Sequence, residues 1–205
     1  MNPKIIKENN RIFKKLSPFY DSVTRMLLPL REAITKQLIK QKAVRVVDLA
    51  CGTGTQAELL VKRGIQVVGV DVSPAMLAIA RKKVKSRKAR FIKARADKTG
   101  LPSASFDAAV ISFVLHEIPA KPAHAVIMEA KRLVKKKGII AIAEYNSKDL
   151  RFSIWNRFFG VIFEGDAWSL FMERGLDYYL RKAKLKPYSD QYFLFKNLRL
   201  VFCRV

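Results

Sequence analysis

The chain has 205 residues, of which 50% are apolar and 28% are charged. This length and composition predict one globular domain with its own hydrophobic core, and they exclude a disordered or fibrous protein. Forty lysine and arginine residues against seventeen acidic residues give a net charge of +23 at pH 7. A surface of this charge attracts anions, so the predicted partners include acidic small molecules, RNA and an anionic membrane surface.

Cysteine usage and hydropathy restrict the location of the protein. Cys51 and Cys203 lie far apart and lack the spacing of a disulfide framework or a zinc site. The residues 1–16 are too polar for a secretory signal peptide, and no stretch approaches the roughly 20 apolar residues that span a bilayer. We expect a cytoplasmic protein, soluble or peripheral to a membrane, with no metal site.

The chain begins with residues 3–41, which read as two helices broken near Ser17-Pro18 and near Pro29. From Val44 onward, short β-branched runs alternate with runs of helical period, the pattern of parallel strands joined by crossover helices. The predicted strands are 44–50, 65–72, 90–96, 106–113 and 138–145. The predicted helices cover 55–63, 74–86 and 122–136, with stop signals at Gly64 and Gly138 and a start signal at Ser73-Pro74.

The C-terminal part differs from this alternation. Residues 151–171 carry an apolar stripe at helical spacing, which either packs on the core or forms a lid over a hydrophobic acceptor. Residues 190–205 contain two strand-like runs separated by Lys196-Asn197, which predicts an antiparallel hairpin. The expected architecture is a single α/β domain over 1–205, with a Rossmann-like, mostly parallel seven-stranded sheet and helices on both faces. It comprises an N-terminal helical cover (1–42), a core (43–145) and a C-terminal part (146–205).

A glycine-containing turn follows the first predicted strand. Residues 46–55 read VVDLACGTGT, with Asp48 near the end of a buried strand and Gly52 and Gly54 before a helix. Glycine lets a ligand approach the backbone closely. The G-x-G-x-x-A spacing also fits a dinucleotide fingerprint, and Asp71 ends the next strand where a ribose-binding acid is expected, so an NAD enzyme remains an alternative.

The carboxylate of Asp48 favours a cationic ligand. It would repel a pyrophosphate, whereas it suits an ammonium or a sulfonium group. S-adenosylmethionine carries both cations, has no phosphate and presents two ribose hydroxyls that Asp71 would accept as a charge-assisted pair of hydrogen bonds. Asp97 follows the third strand, where it would contact the adenine amine. These acids at successive strand ends favour an S-adenosylmethionine site.

The same segments resemble a known family. VVDLACGTG, GVDVSPAMLAIARKK, ADKTGLPSASFDAAVISFVLHEI and LVKKKGIIAIAEY are similar to successive motifs of class I S-adenosylmethionine-dependent methyltransferases, in particular the UbiE-like (methyltransferase type 11) group. The resemblance covers about residues 44–145 and extends to SPFYD at 17–21, which those enzymes fold over the cofactor. Ala50 departs from the frequent glycine of D-x-G-x-G. The resemblance implies cofactor contacts from Tyr20, Asp48, Ala50, Gly52, Gly54, Asp71, Val72, Met76, Ala96, Asp97 and Ser112.

The acceptor site is predicted near the end of the fourth strand. His116 is the candidate general base, with an orienting or helix-capping histidine as the alternative. Glu144 and Tyr145 end the fifth strand near the same edge, and Trp155 lies in the apolar insertion, so all three are candidate substrate contacts. Ser112 and Phe113 stand where methyltransferases of nucleobase amines resemble one another in an Asn/Asp-Pro-Pro-Tyr run, which disfavours that chemistry.

The predicted reaction is methyl transfer to a small hydrophobic or anionic acceptor such as a quinone precursor or a lipid, with S-adenosylhomocysteine as the product. Two alternatives remain at this point. The high positive charge favours an RNA or protein methyltransferase. The other is a non-catalytic S-adenosylmethionine-binding protein, because the sequence contains no residue that must act as a general base.

Overall fold

The computed structural model describes residues 24–147 and 166–205. A short 3-10 turn at Thr24–Leu27 precedes the first helix. The helices are α1 (Leu28–Lys40), α2 (Thr55–Lys62), α3 (Pro74–Lys83), α4 (Ala120–Leu133) and α5 (Asp166–Lys182). The strands are β1 (Arg45–Leu49), β2 (Gln66–Asp71), β3 (Ala89–Lys93), β4 (Phe106–Ser112), β5 (Val134–Tyr145), β6 (Pro187–Phe193) and β7 (Leu198–Arg204).

The strands form one seven-stranded sheet in the order β3-β2-β1-β4-β5-β7-β6. Strands β1 to β5 pair in parallel, and β7 pairs antiparallel with both β5 and β6. The predicted Rossmann-like, mostly parallel sheet with a C-terminal hairpin is therefore confirmed. Since β6 is antiparallel to β7, it runs in the direction of β1 to β5, and β7 alone of the described strands is reversed.

Apolar residues cover both faces of the sheet. One buried cluster joins β1, β4 and β5 to α4 and α5, and the other joins the same sheet to α1, α2 and α3. Val46, Val47, Val110 and Ile111 have no exposed surface, because helices lie above and below them. The nearly continuous apolar strands are thus explained by two-sided burial.

The predicted helix start at Ser73 is confirmed. The Ser73 Oγ atom accepts a hydrogen bond from the Met76 N–H at 3.5 Å, and Pro74 occupies the first turn of α3. The stop at Gly64 is confirmed as well, because α2 ends at Lys62 and Gly64 has a φ of +85°. Pro29, expected to break a helix, instead lies in the first turn of α1, where its missing N–H leaves no helical hydrogen bond unmade.

The predicted stop at Gly138 is wrong. Helix α4 ends at Leu133 and leads directly into β5, so Lys135–Lys137 lie in an irregular start of that strand. A Cβ atom at Gly138 would lie 2.7 Å from the Asp107 carbonyl oxygen and 2.4 Å from the Val134 Cγ1 atom. Glycine is therefore required at 138 for close strand packing.

The predicted turn at Lys196-Asn197 is shorter than the observed one. The loop between β6 and β7 has four residues, Leu194 to Asn197. Leu194, Phe195 and Lys196 all have positive φ angles, between 48° and 69°. Such a loop carries no Asn-Gly signal, so the sequence pattern located the hairpin but not its turn.

The topology determines where a ligand can bind. β1 lies between β2 and β4, so the crossover connections diverge at the boundary between β1 and β4. In open parallel sheets, ligands bind at the carboxyl ends of the strands beside such a switch point. Asp48 pairs in register with Gly69 of β2 and Val110 of β4, and so lies beside this edge.

Candidate cofactor and catalytic site

The loop after β1 turns through three residues with positive φ. The φ angles are 58° at Ala50, 54° at Gly52 and 76° at Gly54, and Gly54 caps the start of α2. A Cβ atom at Gly52 would meet nothing within 4 Å, whereas one at Gly54 would lie 2.9 Å from the Ala80 Cβ atom. The space above Gly52 is open to a ligand, and Gly54 lets α2 approach α3.

Ala50 carries a strain that glycine would remove. A residue with a side chain destabilises the folded chain by about 1 kcal/mol or more when it adopts the left-handed region. Glycine relieves this strain, but it also increases the conformational entropy of the unfolded chain, which offsets part of the stabilisation. We expect Ala50→Gly to raise the free energy of unfolding by about 0.5 kcal/mol, measured by denaturant titration. The same substitution at Ala57, which is buried in α2, is expected to destabilise the protein by about 1 kcal/mol. A loss of stability in Ala50→Gly would contradict this account.

Asp71 links the glycine loop to the start of α3. One of its carboxylate oxygens accepts the Gly52 N–H at 2.9 Å, and the other accepts the Ser73 N–H at 2.8 Å. Burial raises the pKa of Asp71, and the backbone N–H groups oppose this rise. The carboxylate is held in one orientation, and each oxygen keeps a lone pair for a further donor.

Asp48 is a buried carboxylate, one oxygen of which has no hydrogen-bond donor in the described part of the chain. Its side chain is 2% exposed, and its Oδ2 atom finds no donor among the described residues. Burial raises its pKa to about 7, against the opposing charge of Arg31, and Asp71 adds to the rise. Buried acceptors are normally satisfied, so this atom fits a ligand that brings a positive charge. The buried Ser112 Oγ atom at the end of β4 also lacks a partner among the described residues.

Two further buried polar groups were not predicted from the sequence, and the charge of one of them, Arg31, acts on Asp48. Arg31 on α1 is 8% exposed, and its Nε atom makes no hydrogen bond within the described part of the chain. Gln56 on α2 is 1% exposed and donates to the Arg31 carbonyl oxygen at 3.3 Å and to Thr35 Oγ1 at 3.0 Å. Its Oε1 atom is another buried acceptor without a described donor. No motif signalled these residues, because α1 approaches β1 and α2 only in the folded chain.

The predicted adenine contacts lie beyond β3. Asp97 forms a two-point ion pair with Arg95, with 2.8 Å between Arg95 Nε and Asp97 Oδ1. The Arg95 guanidinium lowers the pKa of Asp97. Met76 is buried at the start of α3, and Val72 and Ala96 are half-buried.

His116 and Glu144 form a buried pair. The His116 Nδ1 atom lies 2.7 Å from the Glu144 Oε2 atom, and the Leu115 N–H donates to Glu144 Oε1 at 2.7 Å. Glu144 has no exposed surface and His116 is 8% exposed. Although Glu144 was expected to bind substrate, both its oxygens are engaged by the segment after β4, so its direct contact is with the histidine.

The protonation of His116 depends on its two acidic neighbours. Burial acts to lower its pKa, but the Glu144 carboxylate and, to a lesser extent, the Glu117 carboxylate outweigh burial, so the pKa is raised. Glu117 Oε1 lies 3.9 Å from His116 Nε2. Burial raises the pKa of Glu117 to about 7, against the attraction of His116. The protonation of His116 and that of Glu117 therefore depend on each other.

Aromatic rings surround this pair. The His116 ring contacts Tyr145 and Trp168 edge-on, with centroids 4.9 and 5.1 Å away. Tyr145 also contacts Trp168 at 4.9 Å and Phe113 at 5.8 Å, again edge to face. Phe113 adopts a φ of +54°, a conformation that bulky side chains rarely take. We call His116, Tyr145, Trp168 and Phe113 the aromatic cluster.

Tyr20, Trp155 and most of the apolar insertion lie outside the described residues, so their predicted contacts stay predictions. Within residues 24–147 and 166–205, no group of three or more His, Cys, Asp or Glu side chains is arranged to hold a metal ion. No helix in these two ranges is long and apolar enough to cross a membrane. Trp168, which contacts His116 at the start of α5, was missed by the sequence analysis as a site residue.

Known proteins resemble this chain in sequence. The family described as Methyltransferase domain matches residues 47–142. A demethylmenaquinone methyltransferase of Thermus thermophilus is 38% identical over 111 residues, which is 50% of each protein. A demethylmenaquinone methyltransferase of Thermotoga maritima is 29% identical over 183 residues, or 81% of this chain and 78% of that protein. The chain thus spans only half of the Thermus relative that it matches.

A solved structure shares the fold. The magnesium protoporphyrin IX methyltransferase of Synechocystis PCC 6803, determined with bound SAH, superposes with a TM-score of 0.66 at 19% identity. The match covers 86% of this chain and 82% of that chain.

Proposed function

Because the chain belongs to the class I S-adenosylmethionine-dependent methyltransferases similar to UbiE, we propose that it methylates a ring carbon of a hydroquinone that carries an apolar tail. The demethylmenaquinone methyltransferases among its relatives support this class of acceptor. The single observation that carries the proposal is the aromatic cluster around the buried His116–Glu144 pair, at the carboxyl ends of β4 and β5.

The described residues fit the cofactor. The open space above Gly52 suits the close approach of the ligand to the backbone, and Asp71 is oriented to accept ribose hydroxyls. Asp48 offers a buried acceptor to the positively charged methionine part, and Ser112 Oγ offers another. When bound, S-adenosylmethionine supplies an electrophilic methyl group on sulfur. The protein has to align the acceptor with it and exclude water, which is the main source of acceleration in such transfers.

The aromatic cluster suits a planar acceptor. Edge-to-face contacts hold Tyr145 and Trp168 at fixed angles, and aromatic walls favour a ring over a flexible polar substrate. A ring carbon becomes nucleophilic when a neighbouring hydroxyl loses its proton. We infer that the His116 Nε2 atom accepts this proton as the general base, because the Nδ1 atom is engaged by Glu144.

Glu144 then acts as a positioning residue. Its Oε1 is anchored by the Leu115 N–H, so Oε2 fixes the ring plane and the tautomer of His116. It also stabilises the imidazolium that forms after proton transfer. This role accounts for a carboxylate with no exposed surface in a place where the sequence predicted a substrate contact.

The proposal is tested by incubating the purified protein with S-adenosylmethionine and a reduced 2-prenyl-1,4-naphthohydroquinone, and detecting methylated product by mass spectrometry. RNA, a catechol and a protein mixture serve as competing acceptors. We expect product with the hydroquinone, and about 100-fold less with His116→Gln. Methylation of the catechol, RNA or protein instead would contradict the acceptor assignment.

The basic surface provides a second part of the proposal. Between Arg81 and Ala96 the chain has no acidic residue. The exposed basic side chains of this stretch are Arg81, Lys82, Lys85, Arg87, Lys88, Arg90 and Lys93. We infer that this face attracts anionic lipid, because the proposed acceptor carries an apolar tail that partitions into membranes.

Vesicle sedimentation tests the lipid inference. The protein is expected to sediment with vesicles that contain 30 mol% phosphatidylglycerol but not with phosphatidylcholine alone, and high salt should release it. The triple variant Arg87→Gln, Lys88→Gln, Arg90→Gln should bind more weakly than the variant Arg63→Gln, Lys121→Gln, Lys196→Gln, which loses equal charge elsewhere. Equal binding of both variants, or a preference for RNA over the vesicles, would refute it.

A further inference from the structure

We propose that Phe193, Leu194 and Phe195, at the end of β6 and in the loop that follows it, bind the apolar tail of the acceptor. We call these three residues the tail strip. The inference rests on the proposed function, in which the acceptor is a hydroquinone with such a tail. It names the part of the protein that favours an acceptor with a tail over one without.

Phe195 makes almost no contact with the rest of the folded chain. It is 96% exposed, more than any other large apolar side chain in the described ranges. Burying a phenylalanine side chain is worth about 2 kcal/mol relative to leaving it in water. A ligand that covers Phe195 therefore gains binding energy that folding does not use.

The loop that carries Phe195 is held in one shape. Leu194, Phe195 and Lys196 all adopt the left-handed conformation, which costs about 1 kcal/mol or more per residue. The Asn197 N–H donates to the Leu194 carbonyl oxygen at 3.1 Å. Asn146, which is 6% exposed, donates its N–H to the Asn197 carbonyl oxygen at 2.9 Å and its side-chain amide to the Lys196 carbonyl oxygen at 2.8 Å. Phe195 is thus presented in a fixed place.

The tail strip is continuous with the aromatic cluster. Tyr145 of β5 pairs in register with Leu198 of β7, and Leu198 pairs with Phe193 of β6. Directly opposite residues of a sheet have their side chains on the same face, and all three pack with the same buried cluster. Since neighbouring strands lie about 4.8 Å apart, the Phe193 backbone lies about 10 Å from that of Tyr145. The strip therefore begins beside the aromatic cluster and leads outward to Phe195.

Further apolar surface lies at the same edge of the sheet. β6 runs in the direction of β1 to β5, so its loop lies at the edge where those strands end. Helix α1 leads into the opposite end of β1, and Gln37 in its last turn donates to the Tyr188 Oη atom at the start of β6 at 3.4 Å. The start of α1 therefore lies at the edge of the tail strip, and Met26 and Leu28 are exposed there.

The chemistry of the strip selects its occupant. It contains no charged side chain, and burying apolar surface is worth about 25 cal/mol per Å². The tail of a 2-prenyl hydroquinone leaves the ring next to the carbon that is methylated, so a ring in the aromatic cluster places the start of the tail beside the strip. A second copy of the chain is a poorer occupant, because two proteins with a net charge of +23 repel each other.

Steady-state kinetics with two acceptors, in the absence of vesicles, test the tail strip. The acceptors are 2-geranyl-1,4-naphthohydroquinone and 1,4-naphthohydroquinone, which share the ring and differ in the tail. Phe195→Ser removes the exposed ring, and Phe195→Leu keeps an apolar side chain. Met128→Ser is the matched control, because Met128 is another exposed apolar residue, on α4.

We expect the unmodified protein to have the lower KM for the geranyl acceptor. Phe195→Ser should raise that KM by about 10-fold, with kcat unchanged, because it removes binding that is equal in the ground state and the transition state. It should change the KM of the acceptor without a tail by less than about 2-fold. Phe195→Leu should retain most of the affinity for the tail, and Met128→Ser should behave like the unmodified protein.

Three results would overturn the inference in different ways. If Phe195→Ser raised KM equally for both acceptors, the loop would support the ring site and not the tail. If it left both KM values unchanged but weakened sedimentation with anionic vesicles, Phe195 would contact a lipid surface instead. If the unmodified protein methylated neither acceptor, the proposed function itself would fail, and the tail strip with it.

Discussion

Asp48→Asn is expected to make the protein without ligand more stable while it weakens S-adenosylmethionine binding by about 30-fold or more. The pKa of Asp48 is raised from 3.8 to about 7 because the carboxylate is buried. Its ionised form therefore costs about 2 to 4 kcal/mol of folding free energy at pH 8. Asparagine removes this charge, and with it the attraction for the ammonium of the ligand.

The sign of the pH dependence follows from the raised pKa. Well below the normal pKa of 3.8, Asp48 is protonated in both the folded and the unfolded chain, so its charge costs nothing. Between the normal pKa of 3.8 and about 7, the folded chain binds the proton more tightly, and stability falls as the pH rises. The gain from Asp48→Asn is thus largest at about pH 8 and nearly absent at about pH 3, as denaturant titrations at the two pH values will measure.

Asp107→Asn is the matched control for this variant. Asp107 lies at the other end of β4, accepts the Val44 and Arg45 N–H groups, and pairs with Lys135 at 2.7 Å. Burial opposes its ionisation, but the hydrogen bonds to Lys135 and the backbone prevail and lower its pKa. This substitution should destabilise the protein and leave cofactor affinity unchanged. If Asp48→Asn also proved destabilising at pH 8, this would contradict the inference that the buried charge of Asp48 destabilises the folded chain.

Glu144→Gln is expected to shift the pH profile of kcat. A histidine base works in its neutral form, so kcat should rise with pH through the raised pKa of His116. Burial lowers this pKa, and the Glu144 carboxylate does most to raise it again. Glutamine removes that charge, so the acid limb should move to lower pH while kcat falls by about 10- to 100-fold. Steady-state rates between pH 5 and 9 measure both effects.

Glu129→Gln provides the comparison. Glu129 is another buried carboxylate, but it serves Arg132 and Thr99 within α4 and the segment after β3. Its substitution should lower stability without moving the pH profile of kcat. An unchanged acid limb in Glu144→Gln, with kcat reduced, would show that His116 is not the titrating base.

The parts of the fold that were predictable are local in origin. The strands that become β1, β2 and β4 are apolar runs bounded by turns, and the Ser73-Pro74 signal marks the start of α3 through its own residues. The glycine loop is also local, because positive φ angles at Gly52 and Gly54 depend on the backbone alone. Asp48 and Asp71 follow from their positions at the ends of these strands.

What the sequence did not predict depends on contacts between distant segments. The His116–Glu144 pair joins residues 28 positions apart, one in the segment after β4 and the other at the end of β5. The contact of Arg31 with Gln56 spans 25 positions. The irregular start of β5 arises because Gly138 must approach Asp107 of β4. None of these contacts leaves a periodic or compositional signal in the chain.

Calorimetric titration of S-adenosylmethionine into the unmodified protein and into Asp71→Ala tests the central claim most directly, with NAD as the comparison ligand. Asp71 fixes the Gly52 N–H and faces the ligand edge of β2. We expect saturable binding of S-adenosylmethionine by the unmodified protein, binding weakened by about 10-fold or more in Asp71→Ala, and no heat with NAD. Saturable binding of NAD, or equal affinity of the two proteins for S-adenosylmethionine, would contradict the assignment of this site.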